Sequence, residues 1–227
     1  MPRLLMILFC ALLPLVATAQ PERYRIDPVH TRVLFAIEHA GFSQALGTVS
    51  GTEGVLEFDP QDWSSARLDV AVPLTRLDLG DDKWNRATLA RNLLDGERFP
   101  QAHFVSTRIE PVDANRARVH GQLTLRGVTR DTTLEVTLNA LKRYPLPPFR
   151  RTAGFSATAV VSRADFGIDA WQSVIGDRVE LRIEAEAVRD GNAEAPAGAP
   201  DIIPTPADDT LQDAADAALN NEMDKHP

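Results

Sequence analysis

What most limits the fold of this chain is a two-residue rhythm. Val33, Phe35 and Ile37 alternate with Arg32, Ala36 and Glu38. Leu68, Val70 and Val72 repeat the pattern, as do Val119, Gly121, Leu123 and Leu125. It returns at Leu134, Val136 and Leu138, at Phe155, Ala157, Ala159 and Val161, and at Val179, Leu181, Ile183, Ala185 and Ala187. Successive side chains of a strand point to opposite faces, so each run has one apolar and one polar side. That is the signature of antiparallel sheet with one face in water. Several runs approach ten residues, longer than the usual five or six.

Turn residues separate the runs. Gly51 to Gly54 and Asp59-Pro60 bracket a short strand, Val55 to Phe58. Arg126-Gly127 reads as a tight hairpin, with Gly127 free to take positive φ. Pro145, Pro147 and Pro148 mark a loop that no ladder tolerates. One segment breaks the rhythm. After Asp81 and Asp82, the residues Trp84, Ala87, Leu89, Ala90, Leu93 and Leu94 recur at helical spacing, and Gly96 is a stop signal. This predicts one helix over Lys83 to Leu94.

Long amphipathic strands with a lone helix must close on themselves or pack on a second sheet. Some eight strands of this length close a barrel wide enough for one elongated ligand. Gly121, Ala157, Ala159, Ala185 and Ala187 place small residues on apolar faces. Either they leave space for a thin guest, or large side chains from opposite strands or the helix fill that space.

The two ends of the chain differ from this body. Arg3, the apolar run Leu4 to Val16 and the small-x-small unit Ala17-Thr18-Ala19 read as an export signal over residues 1–19, cleaved after Ala19. The only cysteine, Cys10, lies inside it, so the mature chain has none and suits an oxidising compartment. A periplasmic location follows in a bacterial host. Residues 191–227 hold eight acids and one base, are rich in Ala and Pro, and lack aromatics. They are expected to be a disordered acidic tail, with a possible short helix over residues 210–220 after Thr210. Residues 20–190 hold 24 acids against 22 bases and form the single expected domain. An acidic balance without a Lys/Arg block argues against nucleic-acid binding.

The order of motifs resembles a known family. It begins with Asp27-Pro28-x-His30, Val33-x-Phe35 and His39-Ala-Gly41-Phe42-Ser43, then Gly51-x-x-Gly54 and Glu57-Phe58-Asp59-Pro60. It continues with Asn92-Leu93-Leu94-Asp95, Phe99-Pro100-x-Ala102-x-Phe104-x-Ser106 and Gly121-x-Leu123-Thr124-Leu125-Arg126-Gly127-Val128-Thr129. It closes with Gly154-Phe155-Ser156-Ala157, Ser162-Arg163-x-Asp165-Phe166-Gly167-Ile168 and Gly176-Asp177-x-Val179-x-Leu181. From Tyr24 to Arg189 the chain is similar to the YceI-like family of periplasmic polyisoprenoid-binding proteins. It departs in carrying Leu93-Leu94 where paired aromatics are frequent. The resemblance implies an all-β, elongated, antiparallel lipocalin-like β-barrel of about eight strands with one short helix. It also implies a non-covalently held long-chain isoprenoid lipid, a quinone or polyprenyl lipid, with the protein acting as carrier, store or scavenger. Burial alone suffices for such a guest, at about 0.8 kcal/mol per CH₂.

By position on apolar faces, the expected lining is Val33, Phe35, Ile37, Phe42, Leu123, Phe155, Ala157, Ala159, Val161, Leu181 and Ile183. Trp84 and Trp171 are placed to close an end of the cavity, and His30 and His39, which flank one strand, either approach a quinone head or accept a backbone hydrogen bond. Arg163, in the motif that includes Phe166, either pairs with Asp165 in a turn or meets a polar head group. No catalytic cluster is found. The five histidines form no metal motif, so no metal and no cofactor are expected, and no Gly-x-Ser-x-Gly elbow is present. Two rivals stay in view: an enzyme acting on an isoprenoid lipid, and a filled barrel that recruits a basic partner through its acidic tail. A homodimer through an exposed edge strand is compatible with the pattern.

Overall fold

The computed structural model describes residues 20–191. The expected export signal and the acidic tail beyond Gly191, with its short helix, lie outside the described residues. Eleven strands form one sheet: β1 (Glu22–Ile26), β2 (Arg32–His39), β3 (Ser43–Ser50), β4 (Glu53–Phe58), β5 (Arg67–Pro73), β6 (Leu77–Asp78), β7 (Gln101–Pro111), β8 (Arg116–Leu125), β9 (Val128–Arg143), β10 (Arg151–Ser162) and β11 (Ile175–Arg189). Helix α1 (Asp82–Leu89) lies between β6 and β7.

Six of these strands are halves of three interrupted ones. β1 and β2 both pair with β11, through Ile26↔Ala187 and Ile37↔Val179, so they run along it end to end. In the same way β4 pairs with β1 and β3 with β2, while β5 pairs with β4 and β6 with β3. Counted this way, eight antiparallel strands follow one another around a ring, and the β1–β11 pairing closes it. Closure in an eight-strand barrel leaves an interior for side chains or one small ligand.

The breaks have local causes. At Pro28 the ladder loses a donor, and the Asp27 carboxylate accepts from the Val29 and His30 amides at 2.8 and 3.1 Å to fix a turn. Gly51 takes φ +75° between β3 and β4. Arg126 and Gly127 adopt φ +51° and +74° between the paired Leu125 and Val128, the mirror-image turn that suits strand twist.

Helix α1 starts as the sequence predicts, with the Asp81 carboxylate capping the Lys83 and Trp84 amides at 2.9 and 3.1 Å. It ends five residues earlier than predicted. Ala90 is extended, and the chain turns back on itself: Leu93 donates to the Ala90 carbonyl, Leu94 to Thr88 and Gly96 to Leu89. Leu93 and Leu94 therefore face inward from a series of turns rather than from a helix.

Large side chains fill one half of the barrel. Tyr24, Phe58 and Trp63 are buried there with Ala153 and Ala187. Phe58 meets Trp63 and Phe155 edge-on, with ring centroids 5.1 and 5.7 Å apart, contacts worth about 0.5–1.5 kcal/mol each beyond their burial. The small residue Ala187, fully buried opposite Ala153, thus lies among these large side chains and not at open space. The second alternative drawn from the sequence holds in this half.

Candidate functional site

The other half is hollow. A cavity of about 390 Å³ opens between β2, β3 and β5 on one side and β8 to β11 on the other. Its wall is almost wholly hydrocarbon. The turn and short strand after β5 add Leu74, Leu77 and Leu79, and Phe104 lies toward the filled half. Helix α1 and its following turns lie across the open end through Trp84, Ala87, Thr88, Leu93 and Leu94.

The hollow depends on two glycines. A Cβ on Gly47 would fall 2.2 Å from the Phe35 ring, and one on Gly121 would fall 2.4 Å from the Phe104 ring. Gly47 stands directly opposite Phe35 in the β2–β3 ladder. Both rings border the cavity and lie back against the wall over a missing side chain, which keeps them out of the centre.

Polar groups are few. Glu38, His39, Trp84, Thr88, Thr132 and Arg163 are the side chains on the wall that can hydrogen-bond. His39 packs against Trp84, ring centroids 5.2 Å apart. Arg163 is only 5% exposed. Its Nε donates to the Gly176 carbonyl at 2.8 Å, Nη1 to Ile168 and Ala170 at 2.8 Å each, and Nη2 to Ile175 at 2.9 Å. One guanidinium thereby organises the whole 168–176 loop, and none of these bonds goes to Asp165, the partner expected from the sequence. Nearby Asp177 is held below the ordinary carboxylate range by hydrogen bonds from the Ser162 hydroxyl and the Ala164 amide, with the Arg163 charge adding to this.

Of the residues singled out in the sequence, Val33, Phe35, Ile37, His39, Trp84, Leu123, Val161, Arg163, Leu181 and Ile183 border the cavity. The others lie elsewhere. Phe155 belongs to the aromatic cluster of the filled half, and Ala159 is buried opposite Leu181 without bordering the cavity itself. Ala157 borders a separate outer groove. Phe166 is fully buried in the short 3₁₀ turn Ala164–Phe166, off the cavity wall. Phe42 is 92% exposed and Trp171 61% exposed. Both lie beyond strand ends, where the alternation that placed their neighbours no longer operates. Phe42 follows the positive-φ pair Ala40-Gly41, and Trp171 itself has φ +61°.

The lining residues that sequence reasoning passed over fall into two kinds. Val70, Val72, Leu125 and Val179 sit in alternating runs and were legible there. Ala45 and Val49 of β3, and Leu77 and Leu79 around β6, come from segments too short or too glycine-rich to show a period.

The outer groove is larger, about 460 Å³, but it lies on the polar face of β8 to β11. Its charges are already paired, Arg118 with Glu135 at 3.2 Å and Arg182 with Glu184 at 2.9 Å. The barrel cavity is the better site for an apolar molecule. At the break between β1 and β2, Asp27 binds His30 Nδ1 at 2.8 Å, with Glu186 close by. Burial pushes the Asp27 carboxyl up, but the hydrogen bonds from His30 and the local amides outweigh it and hold the group low. His30 is raised, chiefly by its hydrogen bond to Asp27 and against the effect of burial.

A family model for the YceI-like domain matches residues 24–187. Protein YceI of Salmonella agona is 31% identical over 183 residues, covering 80% of this chain and 94% of its own length. UPF0312 protein YE1254 of Yersinia enterocolitica is 30% identical over 181 residues, covering 79% and 93%. Among solved structures, Burkholderia cenocepacia BcnA superposes with a TM-score of 0.64 at 22% identity, over 71% of this chain and 98% of its own. A polyisoprenoid binding domain from Saccharophagus degradans, implicated in plant cell wall breakdown, superposes with a TM-score of 0.53 at 14% identity, over 74% and 98%. The structural likenesses speak for the barrel, and the sequence match spans nearly all of it: the chain belongs to the YceI-like family.

Proposed function

We propose that this protein is an exported binding protein, not an enzyme, and that it holds a long-chain isoprenoid lipid, a quinone or polyprenyl lipid, non-covalently in its barrel as carrier, store or scavenger. The observation that carries this reading is the apolar cavity, whose polar groups are few, with Glu38 and Arg163 bonded within the protein itself. The polyisoprenoid-binding neighbour supports it.

Size refines the reading. A dry cavity of about 150 Å³ accommodates one benzene. On that scale 390 Å³ takes roughly fifteen carbon atoms, about three isoprene units. A longer chain has to project out of the cavity, or displace part of its wall.

Native mass spectrometry of the mature protein, purified without detergent and followed by solvent extraction, tests the proposal. A stoichiometric lipid of several hundred daltons is the expected result. An empty protein that also takes up no quinone or polyprenol would overturn it. The same preparation shows whether residues 1–19 are removed, as a periplasmic protein requires. A homodimer and a basic partner for the acidic tail are additions to this reading. Deletion of residues 191–227 is expected to leave guest binding intact.

A further inference from the structure

The ring of strands is closed, but its ladders are not all of equal length. β9 and β10 pair from Arg143↔Arg151 to Glu135↔Thr158, and there the ladder stops. Beyond it, residues 128–134 of β9 pair only with β8, and residues 159–162 of β10 pair only with β11. The barrel wall is therefore split over the hollow half. Thr132 and Leu134 border the cavity from one lip of the split, and Val161 from the other.

The split is covered. Directly after β10 the chain forms the 3₁₀ turn Ala164–Phe166, which packs against β9 and buries Phe166 to 1% exposure. One side chain ties this cover down. Arg126, in the hairpin that begins β9, donates through Nη1 to the Gly167 carbonyl at 2.5 Å and through Nη2 to the Arg91 carbonyl at 3.1 Å. The first bond spans the split. The second holds the turns that follow α1, the other cover of the cavity. A single guanidinium thus fastens both covers, using the fork geometry that a lysine lacks.

We propose that the split between β9 and β10 is the passage through which the lipid chain enters and leaves the cavity, with Phe166 as its plug and Arg126 as its latch. The passage rests on the binding reading above. It also answers the size problem, because a chain longer than the cavity can leave through the split without breaking any β9–β10 ladder hydrogen bond.

The test joins two readouts. In the first, stopped-flow quenching of tryptophan fluorescence follows uptake of ubiquinone carrying two isoprene units, and transfer to phosphatidylcholine vesicles follows its release. Charge-assisted hydrogen bonds of this kind lead us to expect about a tenfold rise in both rates for Arg126→Ala, with Kd within about twofold. Arg126→Lys is expected to resemble it. Phe166→Ala, which leaves α1 untouched, is expected to speed both rates as well. In the second readout, which uses no guest, hydrogen exchange at residues 91–94 and 164–168 is expected to quicken in Arg126→Ala.

Unchanged rates in both alanine variants would overturn the passage. Faster rates in Arg126→Ala alone would place the entrance under α1 and also overturn it. A faster release with unchanged uptake would make Arg126 an affinity determinant, not a latch. If the wild-type protein took up no quinone, the binding reading would fail and the passage with it, while the exchange measurement would still decide the latch.

Discussion

The same eight strands build two unlike rooms. In the filled half, the inward positions of β10 and β11 include Ala153 and Ala187, and Tyr24, Phe58, Trp63 and Phe155 occupy the centre. In the hollow half, the inward positions include the large Phe35, Leu123, Leu181 and Ile183 beside the small Ala45 and Ala102, yet the centre is open. Space in a barrel is thus not read from the size of the wall residues alone. It depends on what reaches across. Aromatic rings reach across in one half, and in the other they lie back over glycines.

The strongest way to break this contrast is to empty the filled half. Phe58→Ala removes the ring that joins Trp63 to Phe155 and is expected to cost about 3–5 kcal/mol in denaturant unfolding. Leu181→Ala in the hollow half should cost less, about 1–2 kcal/mol, because its inner side already faces a void. Equal losses would mean that the two halves are packed alike. Next in size is Gly121→Ala. Its new methyl would meet the Phe104 ring at 2.4 Å and the Val105 carbonyl oxygen at 2.5 Å, and the latter is backbone that cannot swing away. A loss of about 1–3 kcal/mol is expected.

A substitution of opposite sign sharpens the contrast further. Val179→Phe places a ring in the hollow half and is expected to stabilise the fold by about 0.5–2 kcal/mol while abolishing lipid uptake. Retained uptake would show that the guest does not use this cavity.

These expectations also mark what the sequence could tell. Alternation exposed β2, β5, β8, β9, β10 and β11, because one wet face and one dry face impose it. β7 was hidden by its own bulge: Ala102, Phe104 and Ser106 keep one phase, then the register slips between Ser106 and Arg108 and Ile109 carries on in another. β3 was hidden by Gly47, whose inward side chain is in effect supplied by Phe35. For the site, alternation marked the lining along strands, but small residues on apolar faces do not say by themselves where space is left. Gly121 lies under the Phe104 ring that borders the cavity, whereas Ala187 is buried in the filled half. Which ring fills which gap is decided between strands far apart in the chain, and no local pattern records it.

The smallest expected effect lies outside both rooms. Asp27 is held low and His30 is raised, so their pair stabilises the fold fully only above the ordinary carboxylate pKa and below the ordinary imidazole pKa, between about pH 4 and 6.5. Its contribution fades as acid protonates Asp27, and again as rising pH takes His30 through its raised value. Thermal melts of His30→Gln across pH should lose the slope on the neutral side. An unaltered slope would assign the pH dependence to other groups.

The two glycines behind Phe35 and Phe104 carry a consequence for how such a barrel diversifies. Gly47 acts as an adjustable stop. A methyl or larger group added there meets the Phe35 ring, pushes it toward the axis and narrows the bore, with no change in any residue that a guest touches. At Gly121 the Val105 carbonyl oxygen resists the same change. The calibre of the lumen can therefore drift by substitutions one layer removed from the ligand, and two relatives with identical linings can admit chains of different thickness.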